Sequence, residues 1–236
     1  MENSKTYIIG DVHGCINTLK ALVNKLPKNA KIIFVGDLID RGKNSSDVIE
    51  FVINGKYDCV MGNHEQSMCS FLPSILKDKS TIDNHSWTIF GGYETMKSYG
   101  LVGFSSTKYK LLDKHLLWLN KLPIYLEYPH LTNEEDRYLV VSHAAIHNTW
   151  KYKDHQPSTE GFQKFKEQIL NNRCKTIYDN EEIFNIFGHT PVGESLVTKH
   201  FANIDTGCIF NDGDLLGNLT AIEFPSMKII SQKNID

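Results

Sequence analysis

Cysteine gives this chain no framework. Its five cysteines, Cys15, Cys59, Cys69, Cys174 and Cys208, are odd in number, and no two form a C-x-x-C pair. That spacing excludes a zinc ribbon and a disulfide-stapled scaffold, and leaves the cysteines as small buried hydrophobes. A surplus of one charge is missing too. Lys+Arg 25 against Asp+Glu 28 leaves a net charge of -3, so nothing drives sequence-independent binding to nucleic acid. No apolar run reaches the roughly 18 residues that span a bilayer. The opening MENSKTYIIGD lacks the charged-then-apolar order of a secretory signal, so a cytoplasmic protein is expected, with neither membrane nor nucleic acid as partner. There is no Pro-rich or Ser-rich linker and no internal repeat. What is present is 41% hydrophobic and 22% charged residues over 236 positions, enough for one large domain, expected over 1–236, with a sizeable core.

The first third alternates short apolar runs with amphipathic stretches. TYIIG (6–10), KIIFVG (31–36) and YDCVMG (57–62) read as strands. CINTLKALVNKL (15–26), SSDVIEFVIN (45–54, with Ser45 as cap) and about 65–76 read as helices. That alternation predicts crossover units and a mainly parallel sheet. The region 78–122 changes character and is expected to form a helical cap-like insertion, with helical patches near 93–99 and 110–121. Strand patterns return at 124–128, 137–143, 183–189, 201–205, 219–224 and 227–231. The last three crowd together, which favours antiparallel pairing.

Each of the first three strands runs into residues of the types that ligate metals. They run into Gly10-Asp11-Val12-His13-Gly14, Gly36-Asp37-Leu38-Ile39-Asp40-Arg41-Gly42 and Gly62-Asn63-His64-Glu65. Parallel sheets gather functional groups at the carboxyl ends of their strands, so these pieces converge on one edge. Two later strand ends repeat the theme with His143 and His189. A lone Asp-x-His or a lone Asp40-Arg41 pair would mean little. Five strand ends in this order mean more. An oxygen- and nitrogen-rich donor set without thiolate favours Mn, Fe, Zn or Ni over soft metals.

That order, with Ser-His-Ala (142–144), Gly-His-Thr (188–190) and Ile-Asp-Thr-Gly (204–207), resembles the calcineurin-like metallophosphoesterases of the phosphoprotein phosphatase type. The nearest likeness is to the small bacterial and phage Ser/Thr protein phosphatases, and Trp87, Gly91-Gly92, Thr95 and Ser98-Tyr99-Gly100 resemble the bacterial branch. The resemblance implies an α/β fold, a two-sheet β-sandwich flanked by helices in four layers. It also implies two divalent ions, with manganese the choice in vitro. Asp37 would bridge them; Asp11, His13 and His189 would complete one site, and Asn63 and His143 the other. A shared hydroxide would attack phosphorus in line. His64 would be the general acid, Asp40 would orient it, and Arg41 and Asn63 would contact the phosphate.

Relatives present a second phosphate-binding arginine between the last two histidine motifs. Arg137 lies six residues before His143 on one strand, roughly 20 Å away. Arg173 is therefore the candidate, or else a solvated charge at a helix end. Lys43 stands where many relatives have proline and adds a cation at the rim. Trp87, Phe90 and Tyr93 read as core packing, and His147 as a candidate for the pocket wall. The leading functional expectation is hydrolysis of phosphomonoesters on Ser/Thr side chains, so the partner is a phosphorylated protein or a small phosphorylated substrate. The same chemistry on a dinucleoside tetraphosphate is the alternative, because such a site reads phosphate and not its carrier. A catalytically inactive binding scaffold is the third reading; the completeness of the motifs speaks against it.

Overall fold

The computed structural model describes residues 5–102, 107–173, 180–210 and 215–236; Cys174 lies outside them. Period-two alternation sets the architecture. On β1 (Thr6–Ile9), Tyr7 and Ile9 join one buried cluster and Ile8 another. On β2 (Lys31–Phe34), Ile32 and Phe34 part from Ile33 in the same way. Neighbouring side chains of a strand face opposite ways, so a strand apolar at every position must be covered on both sides. Helices α1 (Ile16–Val23), α2 (Ser45–Gly55) and α3 (Asn63–Lys77) cover one face, and a second sheet covers the other.

The other strands are β3 (Asp58–Cys59), β4 (Tyr125–Thr132), β5 (Tyr138–Ser142), β6 (Ile183–Phe187), β7 (Leu196–Val197), β8 (Phe201–Asn203), β9 (Asn218–Phe224) and β10 (Lys228–Lys233). Among the described residues the first sheet has the order β10-β9-β1-β2-β3, and the second β4-β5-β6-β8-β7. On the outer face of the second sheet, Val140 and Ile183 pack with Phe165, Ile169 and Leu170 of α6 (Glu160–Asn171). The result is helix, sheet, sheet, helix, the four-layer sandwich that the motif resemblance implies.

Strands β1, β2 and β3 are parallel, as their alternation with helices predicts. Strand β9 pairs antiparallel with both β1 and β10. Strand β8 departs from the expectation and lies parallel to β6. The return stroke is β7, two exposed residues too short to show any alternation. In the 78–122 region, short turns at Lys79–Asn84 and Thr88–Gly92 precede α4 (Tyr93–Ser98) and α5 (Tyr109–Leu119). Met96, Tyr99, Leu112 and Leu119 join the cluster under α2 and α3. No helix among the described residues is long and apolar enough to cross a membrane.

Two helix starts differ from the sequence reading. Asn44, not Ser45, holds the cap position of α2, and Ser45 Oγ instead accepts the Asp40 backbone N–H at 3.1 Å. Helix α1 begins after Cys15, which makes no side-chain cap bond. Asp236 does that work from the far end of the sequence: its carboxylate accepts the N–H groups of Asn17 at 3.1 Å and Thr18 at 2.9 Å. Asp236→Ala is expected to lower the unfolding free energy by about 1 kcal/mol, the usual worth of a helix cap. A urea titration should show a lower midpoint at unchanged slope.

Candidate active site

The sheet topology gathers the candidate residues. Asp11 and His13 follow β1, Asp37 to Arg41 follow β2, and Asn63 and His64 open α3 after β3. His143 directly follows β5 and His189 lies just beyond β6. Asp11, His13, Asp37, Asp40, His64, His143 and His189 are all buried. His13, Asp37, Asp40, Arg41 and His189 all hold positive φ, between 46° and 71°. Such backbone costs on the order of 1–3 kcal/mol per residue and collects where function requires it.

Asp37 stands at the centre. Its Oδ2 lies 3.7 Å from His13 Nε2, 3.9 Å from His64 Nε2 and 3.4 Å from His143 Nε2. Two ligand-type groups share it: His13, Asp37 and His64, and Asp37, His143 and His189. Asn63 Oδ1 joins the second, 2.9 Å from His143 Nε2 and 3.1 Å from His189 Nδ1. His189 therefore differs from the sequence expectation, which placed it with Asp11 and His13. Strands β5 and β6 are neighbours, so the residues that follow them meet. Only the backbone of His189 reaches Asp11, donating to its carboxylate oxygens at 3.1 and 3.3 Å.

The histidine tautomers suit a cation. His13 Nδ1 lies 2.7 Å from the Ile39 carbonyl, and His143 Nδ1 lies 2.9 Å from that of Val35. A carbonyl only accepts, so both rings carry a proton on Nδ1 and turn Nε2, the atom a cation would take, toward Asp37.

Charge points the same way. Burial, and then the charges of Asp205 and Asp37, push Asp11 well above the usual carboxylate range. Burial raises Asp205 to about 6, and burial with Asp37 raises Glu65 to about 7. Burial works against Asp37 as well, but the surrounding histidines, His143 first, hold it well below its ordinary value. Burial drives His13 and His189 down to about 3. It also opposes charge on His64 and His143, where the Asp37 carboxylate outweighs it and the net shift is upward. Buried acids that raise one another, facing imidazole nitrogens, fit resident divalent cations.

A second constellation adjoins the first. His64 Nδ1 lies 2.6 Å from Asp40 Oδ2. Arg41 places Nη1 3.0 Å from His13 Nε2 and Nη2 3.2 Å from His64 Nε2. A guanidinium only donates, so both imidazole nitrogens accept from it. The His13 lone pair cannot serve Arg41 and a cation together; cation uptake there would free the guanidinium.

Several residues acquire roles that their motifs did not reveal. The Glu65 carboxylate accepts the backbone N–H groups of Asp37 at 2.9 Å, Leu38 at 2.8 Å, Ile39 at 3.3 Å and Gly62 at 2.9 Å. Its place three residues after Gly62 at a helix start is the available sequence signal. A Cβ on Gly62 would come within 2.2 Å of Asp37 Oδ1, so only glycine lets these pieces close. Trp87 is buried as expected, but its indole N–H donates to Asp40 Oδ2 at 2.8 Å. Phe90 and Tyr93 are not core residues: they are 68% and 39% exposed. Arg137 bonds the Lys199 carbonyl and Glu181, at the end of β5 remote from His143. Arg173 is exposed, and its charge is among those that lower His189. His147 is buried beside a small cavity walled by Asn185, His200 and Phe201, apart from the groups above.

Comparison with known proteins gives these positions a context. The sequence model of the calcineurin-like phosphoesterases matches residues 4–193. The bis(5'-nucleosyl)-tetraphosphatase PrpE [asymmetrical] of Oceanobacillus iheyensis is 29% identical over 256 aligned positions, which cover 96% of this chain and 91% of that protein. The protein of the same name from Anoxybacillus flavithermus is 28% identical, with 95% and 92% covered. Among solved structures, a candidate diadenosine tetraphosphatase superposes with a TM-score of 0.65 at 17% identity, covering 100% of this chain and 96% of that one. A Saccharomyces cerevisiae protein serine/threonine phosphatase gives 0.55 at 13% identity, covering 99% and 81%. At those identities the structures speak for the fold alone.

Proposed function

The chain belongs to the calcineurin-like phosphoesterase family, and from that premise we propose that it is a metal-dependent hydrolase of bis(5'-nucleosyl) tetraphosphates, cleaving them asymmetrically. Hydrolysis of a phosphoester is the family's chemistry; the nucleotide substrate is the finer step. The observation that carries it is the likeness to proteins of that name along 96% of the chain. This reverses the order expected from the motifs, which put Ser/Thr phosphomonoesters first. The reversal is physically reasonable, because the same buried site reads only the phosphate.

The residues take these roles. Asp37 would be shared by two divalent ions, with His13 and Asp11 on one side and Asn63, His143 and His189 on the other. Manganese is the ion proposed, with Fe, Zn and Ni able to use the same donors. Such ions supply Lewis-acid polarisation of the phosphate and a water made acidic enough to react. Arg41 engages the phosphate oxygens with its planar fork, assisted by Asn63 and, from the end of α6, Arg173. His64 delivers the proton to the departing oxygen, and Asp40 holds its other nitrogen. The 2.6 Å separation of His64 and Asp40 supports this division of labour.

Diadenosine tetraphosphate and a phosphopeptide panel, offered at equal concentration in Mn(II) and followed by chromatography of products, test the reading. Unequal nucleotide products that vanish with EDTA are the expected result. Fast phosphopeptide turnover with the dinucleotide left intact would restore the protein phosphatase reading. Inertness toward both, and toward p-nitrophenyl phosphate, would point to a binding scaffold.

A further inference from the structure

We propose that Trp87 and Thr95 are positioning residues for proton delivery, acting through Asp40 on His64; this rests on the reading of His64 as the acid. The argument starts from Asp40, which is 0% exposed. A buried carboxylate with unfilled acceptor sites is costly, and its free lone pairs let a partner ring turn. Here both oxygens are filled from separate elements. Oδ2 takes His64 Nδ1 at 2.6 Å and the Trp87 indole N–H at 2.8 Å. Oδ1 takes the Thr95 hydroxyl at 2.6 Å. The same Thr95 oxygen accepts the Asp40 backbone N–H at 3.0 Å. Thr95 therefore fixes Asp40 at both the main chain and the carboxylate.

The same segment also grips the next residue. The Gly91 carbonyl accepts the Arg41 N–H at 3.1 Å. Gly91 has φ 119°, and a Cβ there would lie 2.7 Å from Arg41 Cγ. The stretch from Trp87 to Thr95 thus clamps two consecutive residues of positive φ that serve proton transfer and phosphate contact. Two consequences follow for the acid. The indole N–H draws charge from the oxygen that faces His64, and the pair of bonds fixes the carboxylate plane that sets the imidazole's direction. Loss of either bond should weaken proton delivery without altering how phosphate is held.

Leaving-group dependence tests this. Trp87→Phe keeps an aromatic ring, smaller than the indole, and removes the N–H. Thr95→Val keeps the shape and removes the hydroxyl, and Thr95→Ser returns it. Each variant, with His64→Asn in parallel, is assayed in Mn(II) on aryl phosphates from p-nitrophenyl phosphate (good leaving group) to phenyl phosphate (poor). Manganese content and melting temperature are recorded for every preparation. The expected result is kcat on phenyl phosphate reduced about tenfold for Trp87→Phe and Thr95→Val, a fraction of the full general-acid effect of about 10²–10⁴. KM and p-nitrophenyl phosphate turnover should stay near wild type, and Thr95→Ser should recover most of the loss. Equal losses along the whole series, or none, overturn the proposal. The His64→Asn series separates the causes. If it steepens and the Trp87 and Thr95 variants do not, the positioning role alone fails; if it too stays flat, the acid assignment falls and takes the proposal with it.

Discussion

His64→Asn should lower kcat on phenyl phosphate by about 10²–10⁴-fold, the usual contribution of a positioned general acid, while manganese content stays unchanged. The geometry gives this prediction two sides. His64 Nε2 lies 3.9 Å from Asp37 Oδ2, and ligand atoms of His13, Asp37 and His64 fall within 4.8 Å of one another. By distance alone His64 could be a ligand. The motif resemblance makes it the acid instead, with Nδ1 held by a fully buried carboxylate at 2.6 Å. That bond orients the ring and favours the protonated form; the burial that opposes a charged imidazole is outweighed by Asp37 and Asp40, and the net shift is upward. p-Nitrophenyl phosphate should lose far less, since its phenolate departs without protonation. The discriminating readout is metal analysis of the purified variant. If manganese falls with activity, His64 belongs to the metal site and another group supplies the proton.

The legible part of this molecule is the part carried by short, local patterns. Strands β1 and β2 show themselves because both of their faces are apolar, and the residues after them because each strand runs straight into its motif. What escaped lies across the chain. Asp236 caps α1 from 218 residues beyond Thr18, and no window around Cys15 contains that information. Trp87 reads as a core aromatic until the fold brings its indole N–H to a carboxylate 47 residues earlier. The side-chain neighbours of His189 are hidden for a similar reason: the pairing of β5 with β6 sets them beside His143, and strand order inside a sheet cannot be read from periodicity. Phe90 and Tyr93 show the limit of composition, since an aromatic in an apolar stretch can still stand outside it.

Glu65→Leu should be the most destructive single change in the site. Four backbone N–H groups, from Asp37, Leu38, Ile39 and Gly62, end on this one carboxylate. Glu65 is 0% exposed, so water cannot replace it. Each orphaned buried donor costs about 1–3 kcal/mol, and the total rivals the roughly 5–15 kcal/mol that keeps a domain folded. The loop in question carries Asp37 at φ 48°, a conformation it holds only while its N–H groups are anchored. Glu65→Gln separates anchoring from charge. Its amide keeps one acceptor oxygen but presents NH₂ where N–H groups already point, so the loop should loosen without the core collapsing. The expected series is wild type, then Gln, then Leu, in falling melting temperature and in falling manganese uptake by calorimetric titration. A Gln variant that melts and takes up manganese like wild type would mean that the loop holds Asp37 in place without this carboxylate. The two measurements should move together, because the bonds that hold the strained backbone at Asp37 also aim its side chain.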